Sequence, residues 1–222
     1  MGDQLQLGQK ASSSVAYRCL LADPPWPESG GGVIKRGADR HYGLIKSKEE
    51  IRDVMLASGV WTPATNAHAH IWYTDNYIEW AFWLMRELGF EPKRTFQWIK
   101  VGYDFADDDL DALENGTLIP DEDVLRMGIG QYARGCKEGW LFGVRGSGQS
   151  PDVWTGDRSV RDVVFAPHVI ENGKRVHSAK PARTYERIEQ VSRGPRVELF
   201  ARSGRVGWDS WGDQAPAAET TR

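Results

Sequence analysis

Residues 20–32 read LLADPPWPESGGG. The apolar run Leu20, Leu21, Ala22 stops at Asp23, and two prolines and a tryptophan follow. Proline has no backbone N–H and a fixed φ, so neither a helix nor a central strand continues through Pro24 and Pro25. The stretch predicts a buried strand over residues 15–22 that ends on a carboxylate and runs into a rigid turn. In an open α/β sheet, ligands bind beyond the carboxyl ends of strands, which assigns Asp23 to a cleft. The Pro24 carbonyl, taken out of any ladder, joins the Asp23 carboxylate as a second acceptor with no donor between them. Two adjacent acceptors suit a group with two N–H bonds, such as an exocyclic amine. Trp26 supplies a flat face on which an aromatic ring can stack. Residue chemistry leaves adenine and cytosine equally open. The plainer alternative is a proline-rich turn with a packed tryptophan. Yet at average residue usage this tetrapeptide arises by chance in about one chain in a few thousand.

Outward from this turn, strand and helix patterns alternate. Residues 27–46 are Gly-rich, carry Lys35, Arg36, Arg40 and His41, and read as a long mobile loop. Ser47 with Glu50 three residues on forms a capping box that opens a helix to about Ala57. Residues 67–73 (AHAHIWY) read as a buried strand. Residues 75–88 place Ile78, Ala81, Phe82, Met85 and Leu88 at helical spacing, with Gly89 set for a C-cap. Residues 95–101 read as a strand, and residues 102–127 as a half-ordered acidic insertion that repels nucleic acid from one face. Strands follow at 139–144 and 162–165, a helix at 181–191 and a strand at 196–201. This alternation predicts an α/β layer architecture: one domain over residues 15–214, a loose arm at 1–14 and a disordered tail at 215–222.

Composition sets the outer bounds. The chain has 222 residues, 40% of them hydrophobic and 27% charged, which is enough to bury a core. A net charge of −3 argues against a surface that grips a polyanion everywhere, while leaving room for a local basic groove. Two cysteines at no metal or redox spacing fit a reducing, cytoplasmic setting. The most apolar window, residues 71–90, is broken by Asp75, Asn76, Glu79 and Arg86, so no membrane span is expected. His68 and His70 share a strand face without a third ligand nearby, and the 107–111 acidic run lacks calcium-loop spacing. No metal site is therefore assigned.

Several further motifs fall in a fixed order behind DPPW. They are RHYGLIKSKEEI at 40–51, HIWYTDNYIEWAFWLMRELGF at 70–90, FQWIKVG at 96–102 and GIGQYARGCKEGWLFGVRG at 128–146. HSAKP at 177–181 and ELFARSGRVGWDSWG at 198–212 complete the set. In this order they resemble the MT-A70 family of adenine-N6 methyltransferases, in particular its compact bacterial and phage members. The resemblance covers residues 17–214 apart from the acidic insertion. It implies a Rossmann-like, three-layer α-β-α methyltransferase fold in permuted order, with the target-base motif ahead of the cofactor motif. That order accounts for the lack of a G-x-G-x-x-G loop after the first strand.

The resemblance also implies roles. Asp23, Pro24, Pro25 and Trp26 would be catalytic. S-adenosyl-L-methionine would be the cofactor, held by Ala22, Asp23, His177, Ser178, Lys180, Glu198, Phe200, Arg202, Asp213 and Gln214. Within that set, Lys180 suits the methionine carboxylate as a point charge, and Glu198 and Asp213 suit ribose hydroxyls. Tyr42, Trp98, Lys100 and Glu138 would face the substrate, with strand core an equal alternative for Trp98. The partner is nucleic acid, DNA ahead of RNA. A non-catalytic nucleic-acid-binding subunit is the alternative from outside catalysis. Two departures stand out. Gly212 is followed by Asp213 where the family has Asn, and only 22 residues precede Asp23, fewer than larger relatives carry. Lys35, Arg36, Arg40, Lys174, Arg175, Arg183, Arg187, Arg193 and Arg196 form either a nucleic-acid-facing strip or a solvated face.

Overall fold

The computed structural model describes residues 15–28, 45–102, 104–118, 125–126, 133–213 and 215. The N-terminal arm, the 29–44 loop with Tyr42, much of the stretch between 119 and 132, Gln214 and the residues after 215 lie outside the described residues.

Among the described residues nine strands and four α-helices form; strand and helix alternate up to the fourth strand, after which three more strands precede the last helix. In chain order they are β1 (Tyr17–Ala22), α1 (Lys48–Ala57), β2 (Pro63–Tyr73), α2 (Ile78–Glu87), β3 (Glu91–Lys100), α3 (Asp107–Asn115) and β4 (Lys137–Arg145). Then come β5 (Val163–Ala166), β6 (Ile170–Glu171), β7 (Lys174–Arg175), α4 (Ala182–Val191), β8 (Arg196–Leu199) and β9 (Asp209–Trp211). Seven strands form one sheet in the order β5-β3-β4-β2-β1-β8-β9, and β6 with β7 forms a separate hairpin. The fold is mixed α/β with a mostly parallel sheet flanked by helices, as a Rossmann-like methyltransferase requires.

Two compact units emerge along the chain. The first comprises Met1–Arg94, Leu141–Thr155 and Ser192–Arg222; the second comprises Thr95–Trp140 and Gly156–Val191. In the first, β1 pairs parallel with β2 and with β8, and β8 pairs parallel with β9. Cys19, Leu20, Leu21 and Ala22 are fully buried, so the apolar run before Asp23 is the central strand that its composition predicts. Ser47 caps α1 by accepting the Glu50 N–H at 3.1 Å, while the Glu50 carboxylate accepts the Lys46 N–H at 2.7 Å. Gly89 ends the α2 segment at φ +84°, where an L side chain would be strained.

His68 and His70, side by side on β2, are structural. The His68 Nε2–H donates to the Gly148 carbonyl at 2.7 Å, which leaves Nδ1 to accept the Ser192 hydroxyl at 2.8 Å. The serine oxygen then accepts His70 Nε2–H at 3.0 Å. In this chain the His68 ring is neutral, and a charged His70 would bury an Nδ1–H that has no partner. Burial holds His68 below its ordinary pKa; His70 lies well below it, through burial and then the neighbouring His68.

In the second unit, β3 and β5 pair parallel, with Lys100 opposite Ala166. Part of the acidic insertion is helical here. Residues 107–115 form α3, with Leu110 and Leu113 buried against Val101. Its acids do not simply face solvent. Arg183 pairs with Asp107, Asp111 and Glu114, and Arg187 pairs with Glu114. An acidic run read one residue at a time looks solvated; here two arginines from α4 pair with Asp107, Asp111 and Glu114.

Candidate functional site

In the first unit, the parallel register brings the carboxyl ends of β1, β2, β8 and β9 to one side. Asp23 follows β1, Thr74 follows β2, Phe200 follows β8 and Gly212 follows β9. The turn after Asp23 is tied down at several points. The Pro24 carbonyl accepts the Trp26 N–H at 2.8 Å, which uses one of its two lone pairs. Trp26 Nε1–H donates to the Trp72 carbonyl at 3.0 Å, and Tyr77 Oη–H donates to the Pro27 carbonyl at 2.6 Å. The Glu28 carboxylate accepts from Thr74 Oγ1 and, at 3.0 Å, from Asn76 Nδ2. Thus the turn is pinned to the corner between β2 and α2 by side chains on both sides.

One expectation needs correcting. Trp26 is only 4% exposed, and its ring stacks on Tyr77 with centroids 5.9 Å apart and planes 8° from parallel. It is not an open platform for an incoming ring; it anchors the turn. Glu28, Thr74, Asn76 and Tyr77 were not singled out in the sequence, because their pairing depends on residues some 46–50 positions apart meeting at one corner.

At the end of β8, Phe200 adopts φ +62°, a left-handed conformation rare for a bulky residue. That reversal ends the strand at Leu199, two residues earlier than its composition suggests. Its ring packs edge-on against Trp211, and the Ala201 N–H donates to the Trp211 carbonyl at 3.0 Å. Gly212 must be glycine: a Cβ there would lie 2.5 Å from the Ala201 oxygen and 2.8 Å from its nitrogen. The GWDSWG stretch therefore supplies β9 and closes against the β8 end. Glu198 is buried, whereas Arg202 and Asp213 are exposed. Ala22 is fully buried on β1.

In the second unit, a charge cluster forms around Glu138. Its carboxylate lies 2.8 Å from Lys100 Nζ and 3.4 Å from Lys180 Nζ. The lysine side chains are only 12% and 8% exposed. Burial pushes the Glu138 carboxyl up, but the Lys180 and Lys100 ammonium groups together outweigh it and hold its pKa below the ordinary value. Lys180 also approaches the Ser178 carbonyl at 3.4 Å. Ser178 has φ +58° and bonds the ring of exposed His177 at 2.8 Å. Sequence reasoning sorted Lys180 to the cofactor and Lys100 and Glu138 to the substrate; the fold joins all three.

Trp98 is 1% exposed, and its Nε1–H donates to the Ala166 carbonyl at 2.8 Å. Of the two readings left open for it, strand core is the one it adopts; it does not present a face to substrate. Against its ring stands His168, edge-on at 5.4 Å and buried. Burial, then Arg175 and Lys100, lower the His168 pKa to about 4, so this imidazole is neutral. No motif marked His168, which follows β5 after Pro167; its significance comes from what β3 places beside it.

Residues 17–214 match the sequence profile of the MT-A70 family. The chain belongs to the MT-A70 methyltransferase family. It is also similar to the type II methyltransferase M.MunI of a Mycoplasma species, with 26% identity across 90% of this chain and 78% of that protein. Among the described residues, no helix is long and apolar enough to cross a membrane.

Proposed function

We propose that this methyltransferase transfers a methyl group from S-adenosyl-L-methionine to the exocyclic N6 of adenine in DNA. The observation that carries the reading is the pinned turn at the end of β1. It fixes the backbone that carries Asp23 through Trp26, Glu28 and Tyr77 and leaves the Pro24 carbonyl one lone pair, which the Asp23 carboxylate would join as a second acceptor. Two acceptors at this turn take the two N–H bonds of an amine. They favour a pyramidal nitrogen, concentrate its lone pair and stabilise the positive charge that develops on it as the new bond forms. This is electrostatic preorganisation: the acceptors need no reorganisation when the charge appears. After transfer, the amine sheds one proton toward the Asp23 carboxylate or solvent.

The donor set suits the cofactor. Lys180 would take its carboxylate, in competition with Glu138; Glu198 and Asp213 would accept from its ribose hydroxyls; Phe200 would pack on its adenine. Arg202, His177, Ser178 and Ala22 complete the proposed set. When bound, S-adenosyl-L-methionine supplies an electrophilic methyl group on a sulfonium. Lys100 and Glu138 would meet the substrate. DNA is preferred because the chain resembles M.MunI, a type II methyltransferase, along most of its length. A target base within a duplex must leave the stack to reach the turn.

The test is labelled methyl transfer to matched DNA and RNA oligonucleotides, single- and double-stranded, by the wild type and by Asp23→Ala. Activity of the variant is expected to fall by about 10³-fold or to background, with its thermal melt unchanged. Near-normal turnover by Asp23→Ala would sink the mechanism, and transfer to RNA alone would replace DNA as the substrate.

A further inference from the structure

The basic residues proposed as a strip do not behave alike in the fold. Arg183 and Arg187 are consumed by α3 acids, Arg193 donates to the Trp154 and Thr155 carbonyls, and Arg196 donates to the Ser192 carbonyl. Lys174 and Arg175 differ. Both are exposed, and neither side chain has a hydrogen-bond or ion-pair partner among the described residues.

They form β7, one arm of the β6–β7 hairpin. Ile170 pairs with Arg175 and Glu171 with Lys174, around Asn172 and Gly173. Those two turn residues have φ of +51° and +73°, the left-handed pair of a type I′ turn, which Asn-Gly adopts most readily. The Val176 N–H to Val169 carbonyl bond, at 2.9 Å, extends the ladder below it. Alternation along the strands puts Ile170 and Arg175 on one face, and Glu171 and Lys174 on the other. Ile170 is 43% exposed, an apolar side chain left in solvent opposite an unpaired guanidinium. At its base the hairpin meets a buried ring pair of the second unit: Arg175 acts electrostatically on His168, which packs on Trp98. The ribbon is thus a projection with two uncommitted cations, rooted next to the cluster around Lys100 and Glu138.

We propose that the β6–β7 hairpin is a duplex-DNA contact element, with Lys174 and Arg175 laid against backbone phosphates. The proposal rests on the methyltransferase reading above. A two-stranded ribbon fits the major groove of B-form DNA, and a guanidinium and an ammonium on its two faces can reach phosphates on both sides of it. Such contacts position the duplex and carry no sequence information. Glu171, on the Lys174 face, opposes binding by like-charge repulsion with phosphate.

The experiment measures affinity for a duplex of about twenty base pairs by fluorescence anisotropy across a salt series, for the wild type and for Lys174→Gln with Arg175→Gln. Each phosphate contact adds about 0.9 to the slope of log affinity against log salt, so the double variant should lose about 1.8. Between about 50 and about 200 mM salt, the affinity gap between the two proteins should then shrink by about 12-fold. Glu171→Gln should bind the duplex more tightly than the wild type. Calorimetric affinity for S-adenosyl-L-methionine and the thermal melt should be the same in all three proteins. If the wild type methylates duplex DNA but shares its salt slope with the double variant, the hairpin assignment is overturned and the methyltransferase reading stands. If the wild type methylates no DNA, both fall.

Discussion

Replacing Arg187 by methionine separates a structural arginine from a nucleic-acid-facing one. Its guanidinium, on α4, is 10% exposed and fully engaged. Nη1 donates to the Arg161 and Val163 carbonyls at 2.5 and 2.7 Å, Nε donates to Gln190 Oε1 at 2.9 Å, and Nη2 pairs with Glu114. Glu114 is itself 8% exposed, so Arg187→Met leaves a buried carboxylate short of its main partner. Breaking one side of a buried pair costs about 3–5 kcal/mol. Arg183, at 3.5 Å, and the Phe165 N–H, at 3.1 Å, still compensate part of the Glu114 charge, which favours the lower half of that range. A loss of about 3.5 kcal/mol, divided by a denaturant slope of about 3 kcal/mol per molar, lowers the urea midpoint by about 1.2 M. Adding Glu114→Gln to Arg187→Met should recover part of the loss, because no charge is then stranded. DNA affinity below the transition should not change. A midpoint that stays within about 0.3 M of the wild type, with weakened DNA binding, would refute the assignment and return Arg187 to the basic strip.

Lys180→Ala should weaken S-adenosyl-L-methionine binding in calorimetry more than it lowers the melting temperature; an unchanged dissociation constant would remove Lys180 from the cofactor site. Glu28→Ala cuts the ties to Thr74 and Asn76 that pin the turn, so kcat should fall by about tenfold or more while cofactor affinity holds. Equal kcat would show that the turn is rigid without Glu28. His68, His70 and His168 all have depressed folded pKa values and take up protons in the unfolded chain near pH 6.5. The unfolded state therefore binds more protons below about pH 6.5, and stability should fall there by up to about 1.4 kcal/mol per pH unit for each histidine. For His168 the decline should level off near pH 4. Urea unfolding between pH 7 and pH 5 checks this, and a flat profile would mean that the rings are charged in the fold.

The strand-turn junction at DPPW was legible because it depends on local rules. Pro24 and Pro25 cannot continue a ladder, an apolar run of three must be buried, and a carboxylate after it must sit at the strand end. The Ser47 cap and the Gly89 stop were legible for the same reason: each is settled within four residues. Family membership followed from the order of motifs, which is also a property of the chain alone. What the chain alone left open are contacts between distant segments. Trp26 reads as a free stacking face until Trp72 and Tyr77 arrive to bury it. The acidic run at 107–111 reads as solvated until α4 brings Arg183 to Asp107 and Asp111. Lys174 and Arg187 look equivalent as basic residues, yet one is free and the other is locked. Whether a charged or aromatic side chain is a tool or a strut depends on the partner that burial supplies, because desolvation penalises an unpaired charge by several kcal/mol and leaves a solvated one almost unaffected. Local sequence therefore determined where the strand carrying Asp23 ends, and tertiary packing decided which of the surrounding residues remain available to a ligand.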